Sequence, residues 1–170
     1  MAKWTLDPAH SEVGFKIKHL MISNVKGNFK TFTIEAESAS DDFKDAKVNF
    51  TADVASINTG NEQRDGHLKT ADFFDAEKHP KITFESTHYA GDKLEGNLTI
   101  SSITKPVTLH VEFGGVIKDP YGNIKAGFTV TGKINRKDWG ISFNGPMENG
   151  GLLLGEEVAI LAEIELTKQA

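Results

Sequence analysis

Val107-Thr108-Leu109-His110-Val111-Glu112-Phe113, residues 107–113, alternates apolar and polar side chains without a break. Successive side chains of a β-strand point to opposite faces, so this stretch predicts a strand with Val107, Leu109, Val111 and Phe113 on one face. Residues 128–134 repeat the pattern, with Phe128, Val130 and Ile134 set against Thr129, Thr131 and Lys133. Between the two lies Asp119-Pro120-Tyr121-Gly122-Asn123, a strong turn signal, and the whole predicts an antiparallel hairpin.

The same alternation recurs on either side. In 13–19, Val13, Phe15 and Ile17 oppose Gly14, Lys16 and Lys18, and His19 continues the apolar parity. Strands of the same type are predicted at 48–54, 82–85, 94–100 and 158–166. Residues 25–36 are less regular, because Val25 and Phe29 share one parity while Phe32 and Ile34 take the other. A bulge near Gly27 or Lys30 would produce that switch. Ala90-Gly91-Asp92 and Gly114-Gly115 read as further turns. About eight strands result, each with one apolar face, and no long amphipathic helix is present to cover them. The predicted fold is all-β: one domain over 1–170, an eight-stranded antiparallel sheet closed into a barrel with an apolar interior.

Two segments depart from the pattern. Residues 59–74 predict one or two short helices, with Thr59 as a cap, Glu62 at capping-box distance, and Thr70 as a second cap. Residues 144–156 predict a glycine-rich loop carrying Leu152, Leu153 and Leu154, with Gly150, Gly151 and Gly155 as hinges.

The chain has 170 residues, no cysteine and a formal net charge of -5. Disulfides, thiolate metal sites and cysteine nucleophiles are therefore excluded. Lysine and arginine are scattered singly among acids, which argues against a nucleic-acid partner. No apolar run approaches the roughly 20 residues of a membrane helix. The opening Met1-Ala2-Lys3-Trp4 has no signal-peptide core, so a cytoplasmic location is expected, or a periplasmic one if a signal was removed.

The inward parity collects Val13, Phe15 and Ile17 with His19 at the rim, then Phe84, Leu98 and Ile100, then Leu109 and Val111, then Phe128, Val130, Ile160 and Ile164. These side chains either fill a solid core or line a ligand lumen, and periodicity leaves both open. Arg64 and His67, in the densest polar group, either meet a ligand head at the barrel mouth or tie the short helix down. Phe73, Phe74 and Leu152–Leu154 plug the barrel or form its lid. Arg136, Asp138 and Trp139 at a strand end read as structural. A zinc site of His10, His19 and His67 is conceivable, but structural histidines are the better reading, and no metal or catalytic residue is assigned. His10 and Ser11 are adjacent and face opposite ways on a strand, and no G-x-S-x-G elbow exists, which argues against a hydrolase.

Five stretches together are recognisable: 4–20 (WTLDPAHSEVGFKIKHL), 25–29 (VKGNF), 56–87 (SINTGNEQRDGHLKTADFFDAEKHPKITFEST), 96–109 (GNLTISSITKPVTL) and 133–145 (KINRKDWGISFNG). In order and spacing the chain resembles the YceI-like family of lipocalin-like polyisoprenoid-binding proteins. The resemblance implies a lipocalin-like barrel whose lumen takes a long apolar small molecule, such as a polyisoprenoid, a quinone tail or a prenyl phosphate. It implies no cofactor beyond such a lipid. The sequence departs from the family at Ser101-Ser102, where relatives often carry a bulkier or charged residue followed by glycine. The expected function is non-enzymatic lipid binding, storage or transport. The alternatives are a barrel isomerase or cyclase of a hydrophobic substrate, and a filled-core structural or stress protein. A homodimer through an exposed edge or loop is compatible with each.

Overall fold

A computed structural model describes residues 2–20, 22–144 and 154–169. Its strand segments are β1 (Ala2–Leu6), β2 (Glu12–His19), β3 (Ser23–Phe29), β4 (Phe32–Ser38), β5 (Lys47–Asp53), β6 (Ile57–Asn58), β7 (Lys81–Ala90), β8 (Lys93–Ile100), β9 (Ile103–Lys118), β10 (Ile124–Asn135) and β11 (Leu154–Lys168). Every pairing is antiparallel, and the ring closes where β11 pairs with both β1 and β2, β1 also pairing with β4.

Segments β1 and β2 lie along the same side of β11, while β3 and β4 pair with β2 and β1 in turn. β5 and β6 likewise pair with β4 and β3. Each of these pairs of segments is one interrupted strand, so the barrel has eight strands in up-and-down order. Among the described residues only the two-residue β6 has a single strand partner, so the ring leaves little of the unpaired backbone that an open sheet must protect.

The interruptions have local causes. Between β1 and β2, Pro8–His10 forms a 3-10 turn capped by Asp7, whose side chain accepts from the Ala9 N–H. Proline at the start of that turn has no N–H to give the ladder. Between β3 and β4, Lys30 and Thr31 leave the β3–β4 line, and the Lys30 N–H donates to the Ser56 carbonyl. The parity switch read at 25–36 is this break.

Gly114-Gly115 is not a turn. β9 runs through it, and the register against β10 shifts between Gly127 and Phe128. Gly115 has φ +106, so the pair makes a bulge that bends a long strand around the barrel. The true hairpin turn lies at Asp119–Asn123, where the Asp119 carboxylate accepts from the Tyr121 and Asn123 N–H groups. Ser101 and Ser102 form the tight β8–β9 turn with φ +51 and +64, a turn geometry that favours Asn-Gly.

Segment 59–74 contains one helix, α1 (Glu62–Leu68), followed by turns rather than a second helix. Its cap is Asn61, not Thr59: the Asn61 side chain accepts from the Arg64 N–H at 2.9 Å. Thr59 is instead the anchor of the helix. Its N–H and hydroxyl both donate to Asp65 Oδ1, and its own oxygens accept from the Arg64 guanidinium.

The eight strands put two sets of loops at opposite ends. At the upper end lie the β4–β5 loop (residues 39–46), the β7–β8 and β9–β10 turns, and the outer end of β1. At the lower end lie the β2–β3 turn, the α1 region, the β8–β9 turn and the 136–144 segment.

Candidate functional site

A cavity of about 170 Å³ occupies the upper and middle barrel. Val13, Phe84, Leu98, Leu109, Val111, Phe128, Val130, Ile160 and Ile164 line it, as their parity predicts. Among the described residues the wall carries only aliphatic and aromatic side chains, and Tyr89 lines it with its ring while its hydroxyl presents no surface to the cavity. Burial raises the Tyr89 phenol above its ordinary value, and the Asp92 carboxylate adds to that.

Phe15, Ile17, His19 and Ile100 do not line the cavity. Parity distinguishes inside from outside but carries no information on height. Phe15 sits lower, its ring centroid 5.9 Å from Phe29, which meets Phe74 edge-on at 6.4 Å. These rings fill the lower barrel. His19 is the last residue of β2, paired with Ser23 and Leu154 beside the β2–β3 turn. Ile100 is buried next to the β8–β9 turn.

Several cavity residues are not among those the sequence reading named. Val48, Phe50 and Leu94 stand on predicted strands at the right parity. Phe43 does not: it is a lone aromatic in Ser40-Asp41-Asp42-Phe43-Lys44-Asp45, a stretch with no periodicity. The 39–46 loop folds it inward, with φ +60, until it is 2% exposed. Its ring lies 4.8 Å from Trp4, 4.9 Å from Phe128 and 5.6 Å from Phe113, and the last two stack at 5.1 Å. Phe43 is an apolar plug for the upper barrel.

The lower end is closed differently. His67, Phe73 and Phe143 form a cluster of three rings with centroids 5.0–5.1 Å apart. The His67 ring also meets Asp72 at 2.8 Å. Trp139 is buried and donates its Nε1–H to the Leu98 carbonyl at 2.9 Å. Arg136 is 5% exposed and donates to the Gly155 and Ile141 carbonyls, pinning the start of β11. Burial lowers its pKa, with Glu156 opposing. Arg136 lines neither this cavity nor the wall cleft described below. Leu154 opens β11 and exchanges two hydrogen bonds with the Asn144 side chain, while Leu152, Leu153, Gly150 and Gly151 lie outside the described residues.

The histidines named for a zinc site take separate partners. His10 Nδ1 lies 2.9 Å from Asp7 and 3.3 Å from Glu165, and Lys125 Nζ lies 2.9 Å from the same Asp7 oxygen. Asp7, His10 and Glu165 bring three ligand-type atoms within 4.8 Å of one another. The Lys125 ammonium already supplies the charge that Asp7 needs, and holds its carboxyl well below the ordinary aspartate range. The cluster clamps the β1–β2 interruption to β10 and β11.

The YceI-like domain model matches residues 4–166. A UPF0312 protein of Staphylococcus aureus (strain N315) is 46% identical over 168 residues, covering 98% of both chains. The crystal structure of the Campylobacter jejuni YCEI protein is 40% identical, covers 97% of each chain and superposes with a TM-score of 0.76. A polyisoprenoid binding domain from Saccharophagus degradans shares the fold at a TM-score of 0.68 with 13% identity, covering 98% of each chain. The barrel, its apolar interior and these matches place the chain in the YceI-like domain family.

Proposed function

We propose that this protein is a non-enzymatic binder of a long apolar lipid, which it stores or carries with the tail in the barrel lumen. The observation that carries the reading is a closed barrel whose cavity surface is wholly apolar among the described residues. Burying each methylene-sized group of a tail there is worth about 0.8 kcal/mol before ordering losses. The fold shared with a polyisoprenoid binding domain supports a branched, isoprenoid-type tail. An acid–base enzyme would need a titrating group at the cavity; among the described residues Tyr89 is the one titratable side chain that lines it, its pKa is raised, and its hydroxyl presents no surface to the lumen.

The cavity of about 170 Å³ is close to engineered cavities that hold a single benzene. A long tail therefore needs more room than the closed barrel offers, and displacement of Phe43 would supply it. Extraction of natively purified protein with organic solvent, followed by mass spectrometry, tests the reading. A stoichiometric long-chain lipid is expected, and Leu109→Glu should abolish it. Equal lipid content in a folded Leu109→Glu protein would overturn lumen binding.

A further inference from the structure

The barrel wall is not equally closed all round. The β5–β7 ladder ends at Asn49 opposite Glu85, although β5 begins at Lys47 and β7 continues to Ala90. Beyond that point each strand stays with its other neighbour: Val48 pairs with Ala36 of β4, and Ala90 with Lys93 of β8. A register shift between Ser86 and His88 turns β7 away. The Val48 N–H donates to the Ser86 hydroxyl at 2.8 Å, a side chain standing where a strand carbonyl would be. The gap opens a cleft of about 290 Å³ in the wall.

Ala46, Val48 and Tyr89 border both this cleft and the lumen, and so form the partition between them. On the outer side the cleft is polar, with Asp45, Lys47, Asn49, Glu85 and His88 on its lining. Two carboxylates against one lysine make a poor seat for a phosphate, which is ordinarily held by arginine or lysine clusters or by N–H groups at helix ends. Amide, hydroxyl and imidazole groups suit a neutral head that both donates and accepts hydrogen bonds. The loop that supplies Asp45 and Ala46 also carries Phe43, so the plug and the partition sit on one short segment. Asp45 shares the left-handed backbone of Phe43, with φ +60 at both residues.

We infer that the seam between β5 and β7 is the lateral portal of the lumen, and that its cleft seats the neutral polar head of the lipid, an alcohol, carbonyl or carboxamide. The inference rests on lumen binding of the tail and adds the route and the head-group class. A tail threaded through the seam reaches the lumen behind Val48 and Tyr89 without dismantling the lower end, where Trp139 and Arg136 are locked.

Two photoaffinity probes built on geranylgeraniol test it on the intact protein, one with a diazirine at the hydroxyl end and one with it at the far end of the tail. The tail probe should label lumen residues such as Leu109 and Ile160, and the head probe residues 45–49 and 85–89. Lumen labelling by the tail probe with head labelling of residues 59–74 or 135–144 would overturn the portal and leave lumen binding standing. Failure of the tail probe to label the lumen would overturn both. In competition against the tail probe, geranylgeraniol should be effective at roughly tenfold lower concentration than geranylgeranyl diphosphate. Equal potency, or preference for the diphosphate, would overturn the neutral head.

Discussion

The two halves of the barrel wall are built on different terms. From β8 to β11 no strand is interrupted: the β9–β10 ladder carries one bulge at Gly127/Phe128, and β10 and β11 pair without a break from Lys125 opposite Thr167 to Asn135 opposite Glu157. From β1 to β6 every strand is interrupted, and the β5–β7 ladder spans only Asn49–Asp53 against Lys81–Glu85. Sheet stability comes from cross-strand pairs, so the second half has fewer of the units that resist opening. Low local stability is what a ligand-admitting region needs, and a continuous wall opposite keeps the lumen in shape while the other side yields.

The largest expected effect contrasts two phenylalanines that touch. Phe128 belongs to the continuous wall, and Phe128→Ala should cost about 4 kcal/mol of stability in denaturant unfolding. Phe43 belongs to a loop of the interrupted half. Phe43→Ala should cost less, about 3 kcal/mol, and should strengthen binding of an apolar probe by enlarging the cavity. A Phe43→Ala protein that loses as much stability as Phe128→Ala, with unchanged probe binding, would make Phe43 ordinary core and remove the contrast.

A smaller effect concerns the clamp that ties the β1–β2 interruption to the continuous wall. Lys125 holds the Asp7 carboxyl below its ordinary range, so folding favours the ionised form. That stabilisation is complete above the ordinary aspartate value of about 3.9 and is lost as pH falls below it. His10, raised chiefly by Asp7, runs the other way: its share is present below the ordinary histidine value and is lost as pH rises through the elevated one. Asp7→Asn should cost about 2 kcal/mol near neutral pH and flatten the acid limb of the Tm–pH curve. An unchanged acid limb would mean the clamp contributes nothing there.

The smallest effect is a gain. Ser101 and Ser102 occupy left-handed backbone at φ +51 and +64 in the turn between two continuous strands. Ser101→Asn together with Ser102→Gly should raise stability by about 1 kcal/mol, read from the unfolding midpoint. No gain would show that the Ser101 hydroxyl bond to the Phe74 carbonyl offsets the backbone strain.

The same division governs what the sequence reveals. Alternation marks β7 to β11 and assigns Phe84, Leu98, Leu109, Val111, Phe128, Val130, Ile160 and Ile164 to the cavity wall, because parity is dictated by the pleat; in the interrupted half it survives in β2 and β5 and assigns Val13 alone. β1 has only five residues before Asp7-Pro8, too few for a periodic signal, so fully buried Trp4 is not foreseen there. Phe43 is invisible for another reason: a loop has no period, and only the tertiary fold turns that ring inward. Gly114-Gly115 misleads because glycine serves turns and bulges alike. The cleft depends on where two strands part, which no single strand's pattern encodes.

Closure of the ring rests on β1 and β11, where Trp4 lies opposite Lys168 and the Gln169 N–H donates to the Lys3 carbonyl. This pairing and the adjoining one of β2 with β11 join opposite ends of the chain, whereas the other ladders join strands that follow one another. Bringing such distant residues together carries the largest loop-closure entropy in the molecule. The meander from β7 to β11 can therefore assemble early from local contacts, and the barrel becomes a container only at the last step of folding. A nascent chain still lacking β11 would present the whole apolar lumen face to its surroundings, which makes the stretch before ring closure the time of greatest exposure to aggregation.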